Sequence, residues 1–156
     1  MRRVPECLLR SMLLLAAASL TVSLGASAAG PRTVEPGVPP QIKHSWEVLF
    51  NQGNANAVAD LYAPDGQLVM SGSAPIRGIA AIRRALEDMI KTDIEVRINV
   101  EKNIGSGDIA YVYGTYSILE KKSARETEHG SYVEVWRRRN GVWAIDLDVN
   151  AVGEAH

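Results

Sequence analysis

The hydrophobic rhythm of the chain changes part-way along. From Pro39 onward, Ile42, Trp46, Leu49 and Phe50 stand at helical spacing, with proline ahead of them and Gly53 just past the end, which predicts an amphipathic helix. The stretch NANAVADLYAPDG predicts a second, short helix carrying Val58, Leu61 and Tyr62, closed by Pro64 and the turn residues Asp65-Gly66. QLVM reads as a short strand and SGSAPIRG as a loop. From Gly78 to Lys91, Ile79, Ile82, Leu86 and Met89 share one face while Arg83, Arg84, Glu87, Asp88 and Lys91 supply a wet one, a third helix. The period then falls to two. Ile94, Val96, Ile98 and Val100 alternate with Glu95, Arg97, Asn99 and Glu101. GSGD leads into IAYVYGTYSILEKK, a charged loop leads into HGSYVEVWRRR, and Asn140-Gly141 leads into VWAIDLDVNAV. Strands joined by hairpins run antiparallel, so this order predicts an α+β domain with helices packed on one face of a sheet.

Asn-Gly is a strong hairpin signal, since both central residues of a type I′ turn need positive φ. A two-residue loop at 140–141 sets Arg139 against Val142, Trp136 against Ile145, Glu134 against Leu147 and Tyr132 against Val149. Opposed residues share a face. One face then carries Tyr132, Glu134, Trp136, Trp143, Ile145, Leu147 and Val149. The other carries Val133, Val135, Arg137, Ala144, Asp146, Asp148 and Asn150. The first is far more apolar and is expected to meet the helices, taking Glu134 in with it. A buried carboxylate without partners takes up a proton, so the site is either wet, hydrogen-bonded or functional, or Glu134 reaches solvent or an arginine at the open end of the sheet. A bulge after Asn140 would invert the register and bring Asp146 and Asp148 inside.

The N-terminus changes the picture of where the domain begins. Arg2, Arg3 and Arg10 precede a 13-residue apolar run from Met12 to Leu24 and the small triplet Ala26-Ser27-Ala28. Residues 1–28 read as a secretory signal, too short for a span that needs roughly 20 apolar residues. A secreted or periplasmic location follows, with no membrane association after cleavage. Residues 29–40, AGPRTVEPGVPP, form a Pro/Gly-rich tether, and the folded domain is expected over 41–152. The only cysteine, Cys7, lies in the signal, so the mature chain has no thiol chemistry. It keeps 14 basic and 17 acidic side chains, too acidic a balance for a nucleic-acid binder. Arg137-Arg138-Arg139, the one basic cluster, reads as a solvated strand end.

Other chemistries find little support. Asp146-Leu-Asp148-Val-Asn150 imitates the start of a calcium loop, but Ala151 stands where glycine is needed. The histidines lack metal-ligand spacing, no serine sits in a G-x-S-x-G elbow, and GSGD precedes a strand, not a helix. No metal or cofactor is implied.

The order of elements, with NQGNANAVADLYAPDG, SAPIRGIAAIR, GSYVEVWRRRNGVWAI and the closing DVN, resembles the SnoaL-like and ketosteroid-isomerase-like domains of the nuclear-transport-factor-two-like superfamily, from about Gln41 to Asn150. The resemblance implies a cone-shaped, strongly bent antiparallel sheet wrapped around three helices, the cystatin-like roll. It also implies a pocket between them that takes in Glu134, and a homodimer through the outer sheet face. Ketosteroid isomerase works with an aspartate base, a tyrosine and a protonated aspartic acid. Carried onto this chain, the tyrosine falls at Trp46, the base at Met70 and the acid near Glu134. Met70 cannot accept a proton, so that mechanism does not transfer. Asp148 and Asn150 fall near the mouth or the dimer face.

The expectation is an exported domain binding a small, mostly apolar molecule among Trp46, Phe50, Tyr62, Met70, Tyr132 and Trp136, with Asp148 and Asn150 as further contacts. Glu134 is the proton donor or acceptor if the domain is an isomerase- or lyase-like enzyme. The alternative is a non-catalytic dimerisation or partner-binding module using an outer face of Val133, Val135, Asp146 and Asp148.

Overall fold

Pro40 opens the first helix at a position where its missing N–H costs nothing, and α1 (Pro40–Asn51) buries Lys43, Trp46 and Phe50 along one stripe. The computed structural model describes residues 35–153; the expected signal, the first half of the tether (29–34) and residues 154–156 lie outside them. Asn54 caps α2 (Ala55–Ala59) by accepting from the Ala57 N–H at 3.0 Å. The third helix, α3 (Ile79–Ile90), seats Ile82 and Leu86 in the core.

Around these helices runs one mixed, curved sheet. Its strands are β1 (Glu35–Pro36), β2 (Tyr62–Val69), β3 (Ile76–Arg77), β4 (Ile94–Ser106), β5 (Ile109–Glu120), β6 (Glu126–Arg139) and β7 (Val142–Val152), in the order β1-β4-β5-β6-β7-β2-β3. All pairings are antiparallel except β2 with β7, so the expected antiparallel sheet carries one parallel seam. Register shifts interrupt three successive pairings, between Val100 and Lys102, Ile118 and Leu119, and Val135 and Trp136. Bulges of this kind bend a strand and raise its twist.

Two boundaries differ from the sequence reading. The packed unit begins before Pro39: β1 pairs with β4, Val38 is 1% exposed, and the Asn103 side-chain amide holds both the Val38 N–H (2.9 Å) and its carbonyl (2.6 Å). Tyr62 leaves the helix and opens β2, because the Ile145 N–H bonds to the Leu61 carbonyl at 2.8 Å and draws the chain onto β7. Pro64 and Asp65 then lie exposed in a bulged stretch, where Tyr62 pairs with Ile145 and Gln67 already pairs with Leu147.

The hairpin itself forms as expected, with Asn140 at φ 53° and Gly141 at φ 82°, and Arg139 opposite Val142. Beyond it the ladder slips. Trp136 faces Ile145, but Val135 faces Leu147, so Asp146 is the extra residue of a bulge. The expected pairs Glu134 with Leu147 and Tyr132 with Val149 are therefore replaced by Glu134 with Asp148 and Tyr132 with Asn150. Leu147 and Val149 leave the inner face, while Asp148 and Asn150, expected on the outer face, turn inward.

Candidate functional site

Lys43 precedes Trp46 by three residues and Phe50 by seven, so α1 points all three at the sheet. The Lys43 ammonium donates to Glu134 Oε1 at 3.0 Å and lies 5.0 Å from the centre of the Tyr132 ring. Two residues along β6 on the same face, the Trp136 indole N–H donates to Glu134 Oε2 at 2.6 Å. Both oxygens of the inward carboxylate are thus occupied, and Glu134 is 2% exposed. A buried ion pair holds only when the remaining lone pairs are also satisfied, and Trp136 meets that condition.

A second buried carboxylate stands directly across the ladder. Asp148 Oδ2 accepts from the Tyr62 hydroxyl at 2.7 Å, and the Tyr62 hydroxyl oxygen accepts in turn from the Trp46 indole N–H at 3.2 Å. Asn150 donates to Asp148 Oδ1 at 3.3 Å. Burial, followed by the negative charge of Glu134, pushes the Asp148 carboxyl up to about 7, with Tyr62, Lys43 and Asn150 pulling the other way. Burial, then the charge of Asp148, also lifts the Tyr62 phenol well above its ordinary value. The Tyr132 hydroxyl is buried with no hydrogen-bond partner among the described residues, and burial raises its pKa too, aided by the carboxylates around it.

Part of this cluster lines a cavity of about 370 Å³, within the range of small-molecule sites. Trp46, Met70, Tyr132, Glu134, Asp148 and Asn150 all line it. Phe50, Tyr62 and Trp136, expected as ligand contacts, do not. Phe50 stacks flat behind Trp46 at 5.1 Å, Tyr62 bridges Trp46 to Asp148, and Trp136 is sealed beneath Glu134. Sequence reasoning missed Lys43, whose spacing from Trp46 was the available signal. It also missed the far wall, where Leu86 and Met89 of α3 and Ile94, Val96 and Ile98 of β4 supply apolar surface. Both runs were legible as periodic faces, but not as lining one cavity.

The remaining motifs resolve simply. The bulge at Asp146 sends it to the outer face while Asp148 points in, so the calcium-loop imitation cannot converge. Among the described residues no cluster of three or more His, Cys, Asp or Glu side chains could hold a metal ion. Each arginine of the triplet meets a carboxylate: Arg137 meets Asp146, Arg138 meets Asp108, and Arg139 meets Asp65 and Asp146.

The family model of the SnoaL-like domain matches residues 42–145. The chain belongs to the SnoaL-like family. Solved structures similar to this SnoaL-like chain agree in fold. An NTF2-like protein with a cystatin-like fold from Novosphingobium aromaticivorans superposes with a TM-score of 0.67 at 18% identity, over 74% of this chain and 80% of that one. A Nostoc punctiforme protein with a cystatin-like fold gives 0.66 at 16%, over 74% and 88%. A ketosteroid isomerase-like protein from Erwinia carotovora gives 0.63 at 16%, over 74% and 93%. A search of curated proteins finds no match. At these identities the structural neighbours speak for the fold, and the chemistry of this SnoaL-like domain rests on its own residues.

Proposed function

We propose that the cavity binds a small, mostly apolar molecule bearing a carbonyl-like acceptor, and that Asp148 transfers a proton on it in an isomerase- or lyase-like reaction. The arrangement that carries this reading is the meeting, in one cavity, of a buried carboxyl whose pKa is raised by burial and by the facing Glu134 and a phenol hydroxyl with no hydrogen-bond partner among the described residues. A general base is most effective when its pKa lies near the working pH, and a donor aimed at a developing oxyanion stabilises the transition state. In this scheme Tyr132 donates to the carbonyl oxygen. Ionised Asp148 removes a proton from the adjacent carbon and returns it to a neighbouring atom. The catalytic role expected of Glu134 passes to Asp148, because Lys43 and Trp136 already hold both Glu134 oxygens.

A thermal-shift screen against hydrophobic ketones, followed by NMR detection of deuterium uptake beside the carbonyl of each binder, tests both halves. Binders that exchange with the parent and not with Asp148→Asn support the reading. Exchange that persists in Asp148→Asn removes Asp148 from the chemistry, and a screen without any stabilising ketone removes the ligand.

The outer face supports a second role. Tyr111 and Val133 are exposed there, and Tyr111 stacks on Tyr113 at 6.3 Å. Homodimerisation through this face, with Val133 and Val135 but without the inward-turned Asp148, is part of the proposal, and the solution mass of the parent against Val133→Glu by sedimentation equilibrium tests it. Export belongs to the proposal as well, and the N-terminal sequence of the mature protein tests that.

A further inference from the structure

The cavity is electrically one-sided. Its described lining includes three carboxyl residues, Glu128, Glu134 and Asp148, and no lysine, arginine or histidine. Lys43 neutralises Glu134 from behind the wall, and Asp148 is held in a setting that favours its neutral form, so Glu128 is left as the lining carboxylate without a basic neighbour in the lining. It is half-buried on β6, and the Tyr116 hydroxyl donates to its Oε1 at 2.8 Å, which fixes its orientation.

Glu128, Gly130, Tyr132 and Glu134 alternate along the same face of one strand. The residue between Glu128 and Tyr132 has no side chain: a Cβ on Gly130 would meet the Tyr116 ring and hydroxyl at 2.8 Å. The Tyr116 ring therefore lies over the strand between the two polar groups. Glu128 and Tyr132 stand about 13 Å apart along the strand, at roughly 3.3 Å per residue. An unpaired donor marks one end of this stretch and an oriented carboxylate the other.

We propose that Glu128 and Tyr116 form a cation-binding subsite, so that the cavity selects an amphipathic molecule with a hydrogen-bond acceptor at its inner end and an amine at its outer end, and rejects anions. This rests on the binding reading above. The acceptor takes the Tyr132 hydroxyl, the apolar middle packs on the α3 and β4 wall, and the ammonium meets Glu128 over the face of Tyr116, where a ring quadrupole adds attraction. A carboxylate at the outer end would face Glu128 and be repelled.

Calorimetric titration with three straight-chain probes of matched length tests this: a methyl ketone, the ketone with a terminal amine, and the ketone with a terminal carboxylate. The expected result is an amino ketone bound about tenfold tighter than the neutral ketone, and a keto acid about tenfold weaker, as a partly screened charge contact implies. Glu128→Gln should bring the amine-to-neutral ratio close to one, and Tyr132→Phe should weaken all three probes while leaving that ratio in place. Thermal unfolding confirms that each variant is folded. Equal binding of the three probes by the parent, or an unchanged ratio in Glu128→Gln, overturns the subsite and leaves the binding reading standing. Failure of all three probes to bind overturns both.

Discussion

Asp146 and Asp148 are the same residue two positions apart on one strand, yet they live in opposite worlds. Asp146 is the extra residue of the bulge, turned outward between Arg137 and Arg139. Asp148 is 4% exposed, bound by neutral donors from Tyr62 and Asn150, and opposed by Glu134 across the ladder. One extra residue separates a half-buried ion pair on the outer face from a buried acid whose pKa burial raises to about 7. The lesson is that chemistry in this sheet is set by which side of the bulge a charge stands on, and the same contrast holds for the ion pairs. Lys43 with Glu134 is sealed at 3% side-chain exposure on both partners, whereas the Arg138 and Asp108 side chains are 40% and 69% exposed.

Breaking the sealed pair is expected to have the largest effect. Lys43→Met leaves Glu134 buried with only the Trp136 donor, and removing one partner of a buried pair costs about 3–5 kcal/mol. Urea denaturation measures it. The double variant Lys43→Met/Glu134→Gln should recover much of the loss, since no uncompensated charge remains. A single-variant cost below about 1 kcal/mol would mean that the pair behaves like a surface one.

Asp148 sharpens the comparison through pH. Its folded pKa, about 7, lies above the ordinary 3.8, so the folded state holds the proton more tightly than the unfolded chain does. The stability this contributes is fully present below about pH 4 and is lost as pH rises through 7. Unfolding free energies across that window should fall by a few kcal/mol from this group, with a shallower slope in Asp148→Asn. Parent and variant profiles of equal slope would place Asp148 with the solvated carboxylates.

How much of this was legible follows from the same residues. The helix faces, the Asn140-Gly141 bend and the α+β order all follow from local periodicity and turn chemistry, and they emerge in the structure. A bulge after Asn140 stood as an alternative that would bring both Asp146 and Asp148 inside; its place at Asp146, which turns only Asp148 inward, was not legible. In Ile145-Asp146-Leu147-Asp148 apolar and acidic letters alternate, so either register offers a face of one kind, and the choice falls to contacts far along the chain. Those contacts include the parallel partner β2, which pairs with β7 through Tyr62, Gln67, Leu68 and Val69. Lys43 and Glu134 were each a polar letter on an apolar face, 91 positions apart. Glu134 alone stood out as misplaced, Lys43 passed unnoticed, and only the fold brings the two together as a satisfied pair.

Tyr132 offers a smaller test. Its hydroxyl is buried without a hydrogen-bond partner among the described residues, and a buried donor left unmade carries a desolvation cost. In ligand-free protein, Tyr132→Phe is therefore expected to raise stability by about 1 kcal/mol, read as a higher denaturation midpoint. A loss of that size would show that the hydroxyl is already satisfied in solution, which would remove the reason to place a ligand acceptor there.

The smallest effect is expected at the exposed pair. Arg138 donates to Asp108 at 2.8 Å, but it also reaches the Gly107 carbonyl at 3.3 Å and lies 5.2 Å from the centre of the Trp143 ring. The Arg138 backbone N–H already bonds to the Asp108 carbonyl at 2.8 Å, a contact independent of the side chains. Asp108→Asn removes only the charge, so the guanidinium keeps its other contacts and stays hydrated. Exposed pairs contribute about 0.2–1 kcal/mol and weaken with salt, and the change should sit at the lower end and vanish in 1 M salt, where the screening length is about 3 Å. Thermal unfolding at low and high salt measures it. A loss comparable to that of Lys43→Met would mean that burial does not divide strong from weak charge pairs in this fold, and the distinction between the two sides of the bulge would lose its energetic basis.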